Sequence, residues 1–133
     1  MNSDSASVVR QVYDAFAKGD VPAVLATFDS RIESREAEGF TYADGNPYIG
    51  PDAVLQGVFG RLMADWDGFT VTPQEFLATS DGVVTLGRYT GTNKSTRRPL
   101  DAQFAHVWRV HDGKIRRFQQ YTDTAQFAAA GQP

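Results

Sequence analysis

The sequence predicts an α+β fold in which N-terminal helices pack on a curved, mainly antiparallel sheet, making a cone-shaped roll. Three observations carry this expectation. Apolar residues recur at three-and-four spacing as far as Leu62. From Phe69 onward the apolar period drops to two. The later runs are separated by Ser80-Asp81-Gly82 and His111-Asp112-Gly113, which suit the tight turns of antiparallel hairpins. A long twisted sheet curled over helices encloses a concavity at its wide end, the default place for a ligand.

Val9, Val12, Tyr13 and Phe16 mark one face of a first helix, and Gly19 ends it in a position that favours positive φ. Asp20 is placed to cap a second helix whose stripe is Val21, Val24, Leu25 and Phe28, with Pro22 tolerated in the first turn. Arg31 to Glu36 reads as a short strand, and Gly39 to Gly50 as an irregular aromatic stretch. Gly50-Pro51-Asp52 starts a third helix with Pro at its first position, continued by Val54, Leu55, Val58, Phe59 and Leu62. The helical stripes should bury Val12, Phe16, Leu25, Val58 and Leu62 against the sheet. Four strands follow, near 69–79, 83–93, 100–110 and 114–122. Pro73 places a bulge or an edge in the first of them. Asp123 caps a last short helix through Ala130.

At 133 residues, 41% hydrophobic and 22% charged, the chain is expected to form one ordered domain, 1–133. A net charge of −3 offers no basic surface for nucleic acid or anionic lipid. No apolar stretch is long enough to span a bilayer, and Met1-Asn2-Ser3-Asp4 does not open a signal peptide. With no cysteine there is no disulfide, thiol nucleophile or Cys-based zinc site. A cytoplasmic protein is the simplest expectation. Only two histidines occur, without metal-ligand spacing, and there is no nucleophile elbow, phosphate loop or dinucleotide fingerprint. Neither metal nor cofactor is expected.

Four segments carry a family resemblance. Tyr13…Phe16…Gly19-Asp20 opens the chain's first helical pair, and Tyr48-Ile49-Gly50-Pro51-Asp52-Ala53-Val54 leads into the third helix. Asp112-Gly113-Lys114-Ile115 joins the last strands, and Tyr121-Thr122-Asp123-Thr124 ends them. In these the sequence resembles the nuclear transport factor 2-like superfamily, and within it the SnoaL-like and ketosteroid-isomerase-related proteins, over Val8 to Phe127. The resemblance implies the fold more than the reaction, because the superfamily includes isomerases, cyclases, dehydratases, epoxide hydrolases and non-catalytic domains. A steroid isomerase site needs a carboxylate base and an oxyanion hole made by a tyrosine and a protonated aspartate. The corresponding positions here are Ser34 for the base, Val12 with Tyr13 beside it for the tyrosine, and His106 for the aspartate. Steroid isomerase activity is therefore not expected.

His106 shares a strand face with Phe104, Trp108 and Val110 by alternation, which desolvates the imidazole and favours its neutral form. It is either a core histidine satisfied by a partner or, as the resemblance implies, an acid or donor with a nitrogen open to the cavity. Glu36 alternates with Ile32 and Ser34, so it is either a base near the cavity mouth or part of a solvated charged run. Arg88 alternates with Val84 and Leu86; it is either buried and paired with Glu36 or a substrate oxygen, or snorkels to solvent. Gln120 is either a polar ligand contact or a sheet-surface residue. Tyr13, Phe16, Phe59, Trp66, Phe104, Trp108 and Phe118 can converge between helices and sheet, as core or as walls for an apolar ligand.

The expected function is a pocket for a small apolar molecule, used for cofactor-independent isomerase, cyclase, dehydratase or hydrolase chemistry with His106 and Glu36 as acid and base. The alternative is a binding or dimerisation domain without catalysis. Val107, Arg109, Gln119 and Tyr121 fall on the sheet face away from the helices, so a homodimer through that face is expected.

Overall fold

A computed structural model describes residues 2–133 of the protein, with side chains from Ser5 onward. The first helix, α1, is Asn2–Ala17, and Gly19 follows it with φ 71°. The Asp20 carboxylate accepts from the backbone N–H of Ala23 and caps α2, Val21–Ala26. This helix is shorter than its apolar stripe suggests. The Thr27 hydroxyl donates to the Val24 carbonyl at 2.7 Å, and Phe28 instead opens β1, Phe28–Arg35, opposite Ile115.

The aromatic stretch that follows is less irregular than expected, because it holds β2, Tyr48–Ile49, antiparallel to β1. Two residues are too few to display a period. The third helix is interrupted: α3, Pro51–Val54, passes through a π-helical turn, Leu55–Phe59, into α4, Gly60–Asp65. Glycine is required inside that turn, since a Cβ on Gly57 would lie 2.1 Å from the Tyr48 ring. Strand β3 is Trp66–Ala78, three residues earlier in its start than the period indicates because Trp66 already pairs with Asn93. It is followed by β4, Gly82–Asn93, β5, Pro99–His111, and β6, Lys114–Thr122. The register shifts between Pro73 and Glu75, as a proline without a ladder donor demands. Asp123 caps the last helix, α5, Thr124–Ala130, through the Gln126 N–H.

The sheet order is β2-β1-β6-β5-β4-β3, and all neighbours are antiparallel except β1 with β6. The helices cover its concave face. Val12, Val58 and Leu62 are buried there, while Phe16 and Leu25 are half-buried. Among the described residues no helix is long and apolar enough to cross a membrane.

Candidate functional site

Strand pairing aligns the inward side chains into one patch. Thr85 on β4 faces His106 on β5, which faces Gln120 on β6; Trp108 likewise faces Phe118, which lies beside Ser34 on β1. Residues opposite one another share a sheet face, so this row looks toward the helices. With Val12, Tyr13 and Phe16 of α1 and Val54, Val58, Phe59 and Leu62 of the third helical segment, it encloses a cavity of about 70 Å³. That space holds a handful of waters or a small organic molecule; a larger ring system needs side chains to move.

The polar wall is a continuous hydrogen-bonded chain. The Trp108 indole N–H donates to Tyr13 Oη at 3.0 Å, and Tyr13 Oη lies 2.6 Å from His106 Nδ1. His106 Nε2 lies 2.5 Å from Tyr89 Oη, to which the Gln120 amide donates at 3.0 Å. The Ala37 backbone N–H donates to Gln120 Oε1 at 3.2 Å, which fixes the amide's orientation. Phe104 stacks on the imidazole, ring centres 3.9 Å apart. Burial pushes the His106 titration down to about 3, so the ring is neutral. Burial likewise raises both tyrosines. The expected open nitrogen is not there: both nitrogens are held by phenols, because Tyr13 and Tyr89 converge on the ring from α1 and β4.

Glu36 reaches the cavity at the end of β1. Asn46 clamps its backbone, accepting from Glu36 N at 2.9 Å and donating to Glu36 O at 2.8 Å. The residue is 3% exposed, and its carboxyl has no hydrogen-bond partner among the described residues. Burial alone pushes its titration up to about 8. Glu36 is therefore mostly a neutral acid at pH 7, while Glu33 and Arg35 pair on the other face at 3.1 Å.

Tyr13, Phe16, Ser34, Glu36, Phe59, His106, Trp108, Phe118 and Gln120 all line this cavity. Three other candidates do not. Arg88 lies on the outer face, 40% exposed, with Nε 2.7 Å from Asp101 Oδ1. The register places Val83, Thr85, Gly87 and Tyr89 inward and leaves Val84 and Leu86 half-buried on the other side. Trp66 is buried elsewhere, its indole N–H donating to Tyr42 Oη at 3.1 Å. Phe104 supports His106 without lining the cavity. Sequence reasoning missed Tyr89, which lines the cavity and touches His106. Its signal was the opposite phase of β4, where Gly87 leaves room for the Phe104 ring: a Cβ there would lie 2.5 Å from it.

Comparison with known proteins agrees with this architecture. The profile of the SnoaL-like domain matches residues 9–118. A nuclear transport factor 2-like protein from Burkholderia thailandensis is 38% identical, with a TM-score of 0.91 over 96% of each chain. One of unknown function from Burkholderia pseudomallei is 26% identical, TM-score 0.86, again over 96% of each. TerC, co-crystallised with polyporic acid, is 22% identical with a TM-score of 0.85, over 96% of this chain and 97% of that one, a likeness of fold. No curated protein matches significantly.

Proposed function

The chain belongs to the SnoaL-like family of nuclear transport factor 2-like folds, and on that premise we propose that it is a cofactor-independent enzyme moving a proton within a small, largely apolar molecule. The observation that carries the reading is Glu36: a carboxyl almost fully buried and without a hydrogen-bond partner among the described residues, in a cavity whose other walls are mainly Val, Leu and aromatic side chains, with Ser34, His106 and Gln120 among them. Placing a carboxyl there without a partner costs stability, and groups of that kind are typical of proton transfer.

A titration near 8 suits both directions of transfer at neutral pH. In the ionised form the carboxylate takes a proton from the carbon beside a substrate carbonyl. The C–H electron pair forms a C=C bond, and the carbonyl π pair moves onto oxygen, which the phenol network meets with a hydrogen. Glu36 then returns its proton to the same carbon, or, where the substrate carries a C=C conjugated with the enolate, to the far end of that double bond, as the oxygen pair re-forms the carbonyl, so the atoms balance without a co-reactant. At pH 7 roughly a tenth of the molecules hold the ionised form in the empty cavity.

Deuterium incorporation into small enolisable ketones in D2O tests this. The protein should accelerate exchange, and Glu36→Gln should remove at least 100-fold of the acceleration, as the loss of a general base does (about 10²–10⁴). No acceleration by the wild-type protein across such a panel rejects the enzyme. A second reading, a binding domain without catalysis, is favoured by one observation: both His106 nitrogens are committed to protein partners. It expects ligand binding that Glu36→Gln leaves intact, with no exchange.

A further inference from the structure

Strand β1 ends at Arg35, one residue before Glu36, and Arg35 opposite Gln119 is its last rung toward β6. On its other side β2 pairs Glu33 with Ile49 and Ser34 with Tyr48, a register that continues to Pro47 opposite Arg35 and Asn46 opposite Glu36. Proline has no N–H to give, so the backbone ladder stops there. The Asn46 backbone turns away, its N–H donating to the Ala43 carbonyl at 3.1 Å. Its side chain takes over the pairing. Oδ1 accepts from the Glu36 N–H at 2.9 Å and Nδ2 donates to the Glu36 carbonyl at 2.8 Å. One carboxamide thereby makes the double exchange of a hydrogen-bonded antiparallel pair.

This clamp sits at a partition. Glu36 lines the inner cavity and also borders, with Arg35, Glu38 and Asn46, a depression on the outer surface. At a free strand end a small backbone rotation would carry the carboxyl out to water, and no ladder bond opposes it. The Asn46 amide does oppose it, and the Ala37 N–H, held by Gln120 Oε1 at 3.2 Å, secures the next residue. Charge does not hold the carboxyl inside. On the outer side Arg35 is paired with Glu33 at 3.1 Å and Glu38 is exposed with the same sign as Glu36. On the inner side Tyr13, Tyr89 and His106 are neutral.

We propose that Asn46 is the positioning residue of this site: by completing the strand end it holds the Glu36 carboxyl inside the cavity and closes it off from the outer depression. The inference rests on Glu36 being the acid-base group of the reading above. Asn46 does not line the cavity and acts through the Glu36 backbone alone. Without the clamp, the Glu36 N–H and carbonyl turn to water to replace their lost partners. Water at that rim reaches the carboxyl and favours its charged form. The titration that burial holds at about 8 then falls back toward 4.5.

Carbon-13 NMR of carboxyl-labelled glutamate in the intact protein, assigned with Glu36→Gln, tests this. In the wild type Glu36 should titrate near 8, and in Asn46→Ala about one pH unit lower or more. Asn46→Ser, a milder change to another turn-compatible residue, should move the same way and serves if Asn46→Ala does not fold. Asp20→Ala removes the cap of α2 and lowers stability away from the site, and it should leave the Glu36 titration where it is. An unchanged titration in the Asn46 variants overturns the proposal. So does an equal drop in Asp20→Ala, which makes the shift a consequence of lost stability, and so does a wild-type Glu36 that titrates near 4.5. Ketone exchange is read separately. Its absence from the wild type rejects the enzyme, while a lowered Glu36 titration in Asn46→Ala leaves the positioning role standing. Where exchange occurs, Asn46→Ala should level off at lower pH and at a rate about tenfold lower, because a weaker base abstracts a proton more slowly.

Discussion

Tyr89 Oη lies 2.5 Å from His106 Nε2, tying the inward face of β4 to that of β5. The contact commits the imidazole to the protein and leaves the Glu36 carboxyl as the acidic group of the cavity without a partner. Structural load and proton transfer are thereby divided between two residues.

The first expected outcome concerns that division. His106→Leu leaves two buried phenols without their shared partner and should lower stability by about 2–4 kcal/mol in urea unfolding. His106→Gln can still donate to one phenol and accept from the other, so it should keep the fold and lose less. Ligand affinity should nonetheless fall in His106→Gln, because the amide does not hold Tyr13 and Tyr89 as the ring does. Unchanged stability in the leucine variant would contradict the network.

Two buried groups give stability opposite slopes with pH. His106 titrates at about 3 in the folded protein against its ordinary 6.5, so the unfolded chain binds more protons between those values. Stability therefore rises with pH across that window and is lost as pH falls through it. Glu36 titrates at about 8 against 4.5, so the folded state keeps a proton that the unfolded chain releases. Its contribution is fully present below 4.5 and is lost as pH rises to about 8. From these two groups the slopes cancel between 4.5 and 6.5, and a decline follows from 6.5 to about 8. Glu36→Gln should abolish the decline and, above pH 8, exceed the wild type by roughly 3–5 kcal/mol. Urea titrations at a series of pH values check both features.

Activity should respond to the same carboxyl in the opposite sense. If ionised Glu36 is the base, kcat/KM for ketone exchange rises with pH and levels off above about 8. A rate that falls through that range would make the neutral acid the working form.

Arg88 pairs with Asp101 on the outer face, at a site 40% exposed. Arg88→Ala should leave ligand binding unchanged and shift stability by no more than about 0.5 kcal/mol. Weakened binding would return Arg88 to the site.

A homodimer is expected through the convex sheet face, where Tyr121 is 57% exposed and shares a shallow depression with Val107, Arg109 and Gln119. Light scattering at micromolar concentration should give twice the chain mass, and Tyr121→Glu should shift it toward the monomer. A monomeric wild type ends this expectation.

The sequence by itself determined the layers. The change from a helical to a two-residue period at Phe69, the glycines and capping aspartates at 19–20 and 123, and the two tripeptide turns all depend on local sterics and neighbouring hydrogen bonds. They can be read along the chain, and so can the inward direction of His106 beside Phe104 and Trp108, because alternation within one strand is also local. Tertiary structure alone decided the phase of β4 relative to that face. Half-buried Val84 and Leu86 mimic a core stripe, and only the pairing of Thr85 with His106 turns Tyr89 inward and Arg88 outward. The occupancy of both imidazole nitrogens was equally hidden, since Tyr13 lies 93 residues from His106 along the chain. So was the isolation of Glu36, whose side chain is set by a strand end and whose backbone is set by Asn46 in the following loop. A hydrogen bond between distant segments depends on register and on the packing of α1 over the sheet, and neither leaves a period in the sequence.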